Sequence, residues 1–260
     1  MGGLKESRAT SQPVAGYPAL IVSSKEDILV IADLHIGLGH ELEEKGILIR
    51  QQTEKMIKDL TFLSSLSTHL VIVGDLRHEI RGRNTDSEIP AFMSSLLDIY
   101  DRIEIVPGNH DGMILRMLPQ RVIVHPSAGF SIRGFSFFHG HTWPLSSMMA
   151  ERTLIMGHLH PAVEFVDSLD NRYVEKCWFR APMKEKDPTE RYSSMPTEVI
   201  VLPAFNPLLT GTPINRKGMK GFGPLFSNGL IKSLRGKLYL LDGTFLGSLN
   251  EIAVSPIDNS

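Results

Sequence analysis

The feature that most constrains this chain is a series of short Val- and Ile-rich runs, each followed almost at once by Asp, Asn or His. The runs are Ile28–Ala32, Leu70–Val73, Ile103–Val106, Phe135–Phe138 and Thr153–Met156. Runs this short and this uniformly apolar read as strands buried on both faces. Between the first two, the stretch Leu48 to Leu66 sets Ile49, Met56, Ile57, Leu60 and Leu63 at helical spacing, so one face of a helix packs on a sheet. A second helix starts near Ser87, with Pro90 in its first turn and Phe92, Met93, Leu96 and Leu97 facing inward. Strands alternating with helices predict an α/β layered core.

The second half changes character. Ala162–Val166, Tyr173–Phe179, Val199–Leu202 and Lys237–Leu241 read as further strands with no long helix between them, and Ser227 to Leu234 as a short helix. A chain of 260 residues fits one large domain, expected over 15–255, with a flexible arm at 1–14 and an exposed loop or insertion at 180–197. No apolar run approaches the roughly 18 residues that span a bilayer, and no signal-peptide pattern is expected at the N-terminus. The single cysteine, Cys177, leaves no internal disulfide and suits a reducing cytoplasm. A net charge of −2 supplies no global basic field, so nucleic-acid binding cannot be argued from charge alone.

The chemistry lies at the ends of the runs. The first leads into Asp33-Leu34-His35, the second into Gly74-Asp75 and the third into Gly108-Asn109-His110-Asp111. The fourth leads into His139-Gly140-His141 and the fifth into Gly157-His158-Leu159-His160. In open α/β sheets, sites form beyond the carboxyl ends of the strands. One such edge would gather two Asp, one Asn and up to six His. Alone, each motif is ordinary turn chemistry; five in succession have no turn explanation. His40, His69 and His125 fall outside the motifs and read as core or surface histidines.

A mixed Asp/Asn/His set without cysteine suits Mn²⁺, Fe²⁺, Zn²⁺ or Ni²⁺ and is too rich in nitrogen for dedicated Ca²⁺ or Mg²⁺ binding. Asp33, His35, Asp75, Asn109, His139, His158 and His160 are too many ligands for one ion and natural for two that share a carboxylate. Two ions roughly 3.5–4 Å apart activate a bridging water and clamp the attacking and leaving oxygens of a displacement at phosphorus.

The ordered set DLH, GD, GNHD, HGH and GHLH resembles the calcineurin-like binuclear metallophosphoesterase superfamily over about residues 28 to 166. The resemblance implies a four-layer α-β-β-α sandwich, two packed β-sheets flanked by helices, with the metal site at the carboxyl ends of the strands. It implies that Asp33, His35 and His160 hold one ion, that Asn109, His139 and His158 hold the other, and that Asp75 bridges them. His110 would stabilise or protonate the leaving oxygen, and Asp111 would orient His110. His139 is the expected ligand of the HGH pair, with His141 as the fallback or a substrate contact.

The segment Gly74 to Glu79 (GDLRHE), together with GHLHPAV and LPAFNPLLTGTPIN, is similar to a branch that includes the bacterial ligase-associated DNA damage response endonucleases (ICC-like phosphoesterases). Glu79 stands where protein phosphatases of the superfamily carry a phosphate-binding Arg, which counts against that activity. The resemblance implies hydrolysis of phosphodiesters by a metal-bridging hydroxide, with Mn²⁺ as the foremost cofactor. The expected substrate is DNA or RNA, single-stranded nucleic acid included, with DNA-repair partners and no membrane. A small-molecule phosphodiesterase and a non-catalytic scaffold are the alternatives. Arg77, Arg81 and Arg83, and the acid-free tail carrying Arg216, Lys217, Lys220, Lys232, Arg235 and Lys237, could steer phosphates or form a solvated face. Phe222, Phe226 and Tyr239 could stack bases or pack inward. His78 is expected to contact substrate or buttress the site.

Overall fold

The computed structural model describes residues 9–47, 52–78, 85–216 and 223–254. Two sheets pack face to face. The first has six strands in sequence order: β1 (Thr10–Pro13), β2 (Leu20–Ser23), β3 (Asp27–Ile31), β4 (His69–Val73), β5 (Arg102–Val106) and β6 (Ile123–Val124). Its first two pairings are antiparallel, and β3 through β6 run parallel. The second sheet contains β7 (Phe130–Ile132), β8 (Phe135–Phe138), β9 (Thr153–Met156), β10 (Pro161–Val166), β11 (Arg172–Pro182), β12 (Glu198–Val201) and β13 (Thr212–Pro213). The strands β14 (Lys237–Leu240) and β15 (Phe245–Ser248) extend it along β11. Within it, β8, β9 and β12 run parallel.

The alternation of β3 and β4 places Leu29, Ile31, Leu70 and Ile72 on the outer face and Ile28, Val30, Val71 and Val73 between the sheets. The outer residues meet α2 (Gln52–Leu63), through Met56, Leu60 and Leu63, and α3 (Thr85–Leu97), through Phe92, Met93 and Leu96. A further helix, α1 (Leu38–Glu44), precedes them. The inner residues meet Phe135, Phe137, Ile155, Trp178 and Ile200 of the second sheet. Loops and short turns, with the four-residue helix α4 (Pro224–Ser227), cover the second sheet's outer face. No helix among the described residues is long and apolar enough to cross a membrane.

Two sequence expectations are corrected, and a third, the 180–197 loop, is narrowed at its start. Part of the expected N-terminal arm is strand β1, because its backbone pairs with β2 from Thr10↔Ser23 to Pro13↔Leu20; residues 1–8 lie outside the described residues. The 180–197 segment is strand as far as Pro182, then folds around Asp187, whose carboxylate accepts the backbone N–H groups of Thr189, Arg191 and Tyr192. The expected helix from Ser227 to Leu234 is instead α4 followed by a 3₁₀ turn at Ser233–Arg235. The start of the first expected helix, residues 48–51, also lies outside the described residues.

His69 and His125 serve the core. Glu104 on β5 is 1% exposed, and its carboxylate meets His69 Nε2 at 2.8 Å, Arg102 Nε at 2.9 Å and His125 Nε2. Burial alone would raise its pKa, but the hydrogen bonds from His125 and His69 and the charge of Arg102 hold it at about 2. A carboxylate with a depressed pKa stabilises the fold above its unfolded pKa and loses that contribution as pH falls toward the folded value. Glu104→Gln is therefore expected to cost about 2–3 kcal/mol at pH 7. Urea unfolding of both proteins should show this gap narrowing at pH 3.5; a gap independent of pH would overturn the assignment.

Candidate metal centre

Parallel strands of both sheets deliver their C-terminal ends to one edge, and the motifs that follow them meet there. Asp33 Oδ1 lies 3.1 Å from His160 Nε2 and 3.7 Å from His139 Nδ1, joining the β3 end to the β8 and β9 ends. Asp75 Oδ2 lies 3.2 Å from His139 Nε2 and 3.6 Å from His35 Nε2. Two ligand groups result: Asp33, His35, Asp75 and His160 form one, and Asp75, His139 and His158 the other, the ligand atoms within each lying within 4.8 Å of one another. Asp75 belongs to both. Asn109 joins the second group, its Oδ1 standing 3.2 Å from His139 Nε2. His141 belongs to neither; its ring lies 5.3 Å from His139 and 6.2 Å from His158, and its buried Nδ1 has no hydrogen-bond partner.

The backbone carries strain at these residues. Nine non-glycine residues have positive φ among those described, and five are ligand candidates: Asp33 (58°), His35 (43°), Asp75 (44°), His158 (69°) and His160 (45°). Left-handed conformations of this kind persist only where the surroundings over-determine them, and they concentrate at functional sites. Two glycines allow the close approach. A Cβ on Gly74 would stand 2.0 Å from His139 Nδ1, and one on Gly108 would stand 2.1 Å from Asp75 Oδ1.

The chemistry of the donor set fits a pair of divalent cations. Asp33 and Asp75 are 0% and 2% exposed, and the partners of their carboxylates are imidazoles and the backbone N–H groups of His158 and His110. His35 Nε2 and His160 Nε2 face each other at 3.3 Å, an arrangement that a shared cation resolves. Burial drives His35 down to about 3 and His158 down to about 4, which keeps those rings neutral and their nitrogens available as ligands. Burial would lower His139 too, but the hydrogen bond to Asp75 and the charges of Asp33 and Asp75 raise it to about 9. Those charges are the ones a bound cation would satisfy.

Around this core stand the other expected site residues. His110 is 36% exposed at its side chain, donates its backbone N–H to Asp75 Oδ1 at 2.9 Å, and holds Nε2 4.0 Å from Asp75 Oδ2. Its Nδ1 meets the His78 carbonyl, which leaves Nε2 on the side of the ligand groups. His78 meets His35 Nδ1 at 3.3 Å and Glu41 at 2.5 Å, a buttressing position. Asp111, expected to orient His110, instead accepts the backbone N–H groups of Gly108 (2.8 Å), Arg77 (3.0 Å) and Leu76 (3.3 Å), and so ties the β4 and β5 loops together. Arg77, expected at the substrate, is only 4% exposed.

Much of the basic tail is engaged elsewhere. Arg216 and Arg172 both pair with buried Glu164, and Lys232 faces Glu185. Tyr239 packs its ring at a tilt against Phe245, and Phe226 does so against Phe179. Glu79, Arg81, Arg83, Lys217, Lys220 and Phe222 lie outside the described residues.

Two neighbours of the site went unnoticed in the sequence. Glu41 sits in α1, in a stretch with no motif around it. Asn206 follows β12 within LPAFNPLLTGTPIN, a segment that carries the resemblance but gives this residue no role of its own.

A family model for calcineurin-like phosphoesterases matches residues 27–224. No curated protein matches the chain. Among solved structures, the chain is similar in fold to the crystal structure of Pseudomonas putida nuclease MPE. That likeness has a TM-score of 0.52 at 18% identity and covers 91% of this chain and 100% of that one.

Proposed function

The chain belongs to the calcineurin-like phosphoesterase family, a family of two-metal hydrolases, and from that premise we propose that it cleaves phosphodiester bonds in nucleic acid, with Mn²⁺ as the foremost cofactor. The observation that carries the reading is the pair of ligand groups sharing Asp75. Asp33, His35 and His160 would hold one ion, Asn109, His139 and His158 the other, and Asp75 both. Bound there, two ions supply a nucleophile at neutral pH and neutralise charge developing on the phosphoryl oxygens.

The chain's own residues do the rest. His110, fixed at Nδ1 by the His78 carbonyl, would present Nε2 to the leaving oxygen and, when both ring nitrogens carry protons, donate the Nε2 proton to it. His78 fixes the ring of His35. Asp111 holds the two loops that present Asp75 and Asn109. His141, whose ring lies beside His139 and His158, would contact a phosphoryl oxygen.

Nucleic acid is favoured as substrate by the fold shared with Pseudomonas putida nuclease MPE, and by the GDLRHE, GHLHPAV and PAFNPLL motifs. A chain whose one cysteine, Cys177, is buried and unpaired suits the reducing cytoplasm. The test is a parallel assay of Mn²⁺-loaded protein on single-stranded DNA, duplex DNA, RNA, cyclic nucleotides and bis-nitrophenyl phosphate. Cleavage of a nucleic acid and of the generic diester is expected, lost with a chelator and restored by Mn²⁺. Activity confined to cyclic nucleotides would replace the nuclease reading with a small-molecule phosphodiesterase.

A further inference from the structure

We propose that Asn206, secured by Lys176, is a positioning residue for one half of the metal centre, the half formed by Asp33, His35 and His160, and that it acts on this half far more than on the other, which it does not bond. The inference rests on the two-ion reading above. It starts from the strain at Asp33 and His35: a turn with two left-handed residues needs something to hold it. The segment leaving β12 does so at successive points. Leu202 N–H donates to Met156 O at 2.8 Å, Phe205 N–H to Ala32 O at 2.8 Å, and Asn206 N–H to Asp33 O at 3.4 Å. The Asn206 side chain, 0% exposed, then reaches into the turn, its Nδ2 donating to Leu34 O at 2.7 Å and to His35 O at 3.3 Å. Its Oδ1 accepts Leu208 N–H at 2.9 Å, which fixes the amide's orientation.

The same segment continues to the third ligand. Thr212 N–H donates to His160 O at 2.7 Å, and β13 there pairs with β10 from Pro161↔Thr212. The strap is itself held from below: Lys176 Nζ donates to Ala204 O at 2.7 Å and to Asn206 O at 2.6 Å. A lysine on β11 thus anchors Asn206, and Asn206 anchors the carbonyls of Leu34 and His35. No hydrogen bond from Lys176 or Asn206 reaches Asp75, Asn109, His139 or His158 among those the structure shows for the described residues. The consequence is asymmetric, since loosening the strap acts directly on His35 and Asp33 and reaches the second group only through the contacts of Asp33 with His139 and the His158 backbone N–H.

The experiment compares the full chain with its Asn206→Ala and Lys176→Met variants. Each is stripped of metal, titrated with Mn²⁺ by calorimetry, and then read by electron paramagnetic resonance for coupled against isolated Mn²⁺. Wild type should bind two equivalents and show a coupled pair. Asn206→Ala should keep one equivalent at wild-type affinity and weaken the other by about 10- to 100-fold, the usual effect of losing a residue that orients metal ligands. Its spectrum should then show isolated Mn²⁺ at one equivalent added. Lys176→Met should shift the same site by a smaller factor, and it decides the question if Asn206→Ala does not fold. Two equivalents bound at wild-type affinity in the variants would overturn the proposal, as would equal weakening of both sites, which is what a general loss of stability gives. Wild type binding fewer than two ions would instead overturn the two-ion reading on which the proposal stands.

Discussion

Asp75→Ala is expected to remove both ions and lower kcat/KM by roughly 10⁴-fold or more, the scale seen when several catalytic groups depend on one residue. Its carboxylate is the only one shared by the two ligand groups, and the arrangement on both sides leans on it. Oδ2 faces His139 and His35, while Oδ1 receives the His110 backbone N–H that places the following loop. Removing it leaves His139 buried without its strongest partner and releases Asn109 and His110 from their anchor. Elemental analysis of the purified variant together with assay on bis-nitrophenyl phosphate checks this. A variant that retains two ions per chain while losing activity would deny Asp75 its bridging place.

His110→Ala should separate chemistry from metal binding. Only the backbone N–H of this residue bonds to Asp75 within 3.5 Å, and alanine keeps it, so metal content should match wild type. Loss of a positioned general acid lowers kcat by about 10²–10⁴-fold with little change in KM. The loss should be larger on DNA, whose leaving alkoxide needs a proton, than on a nitrophenyl ester, whose leaving group does not. Wild-type turnover of DNA by His110→Ala would end the assigned role.

These two residues show how unevenly the sequence disclosed the molecule. Asp75 and His110 stand out in the sequence because each lies in the short segment after a buried parallel strand, and a strand with no polar face announces itself as an unbroken apolar run. Strand β1 was not legible, since an edge strand of Thr, Ser, Gln and Pro carries no such pattern and exists only through its pairing with β2. Helix α1 was hidden for a similar reason, as only Leu38 among its seven residues is buried.

Within the site, residue types that ligate metals are rare enough at strand ends to be noticed together. Residues that hold ligands are common ones, and only geometry distinguishes them. Asn206 lay in a segment the resemblance marked without a role of its own, and Asp111 looked like a partner for its neighbour His110, whereas its carboxylate bonds three backbone amides. Arg77 looked exposed beside Asp75 but pairs at an isolated bridge with Ile36 and is buried.

The left-handed backbone at Asp33, His35, Asp75, His158 and His160 sets activity and robustness against each other in this protein. Each such residue costs of order 1 kcal/mol or more that a glycine would not. Glycine at any of the five should therefore leave a metal-free protein more heat-resistant than alanine does at the same position, though neither could replace the ligand. Selection for thermal resistance alone would erode these positions first, so on the two-ion reading the five side chains persist only as long as the proposed reaction is under selection.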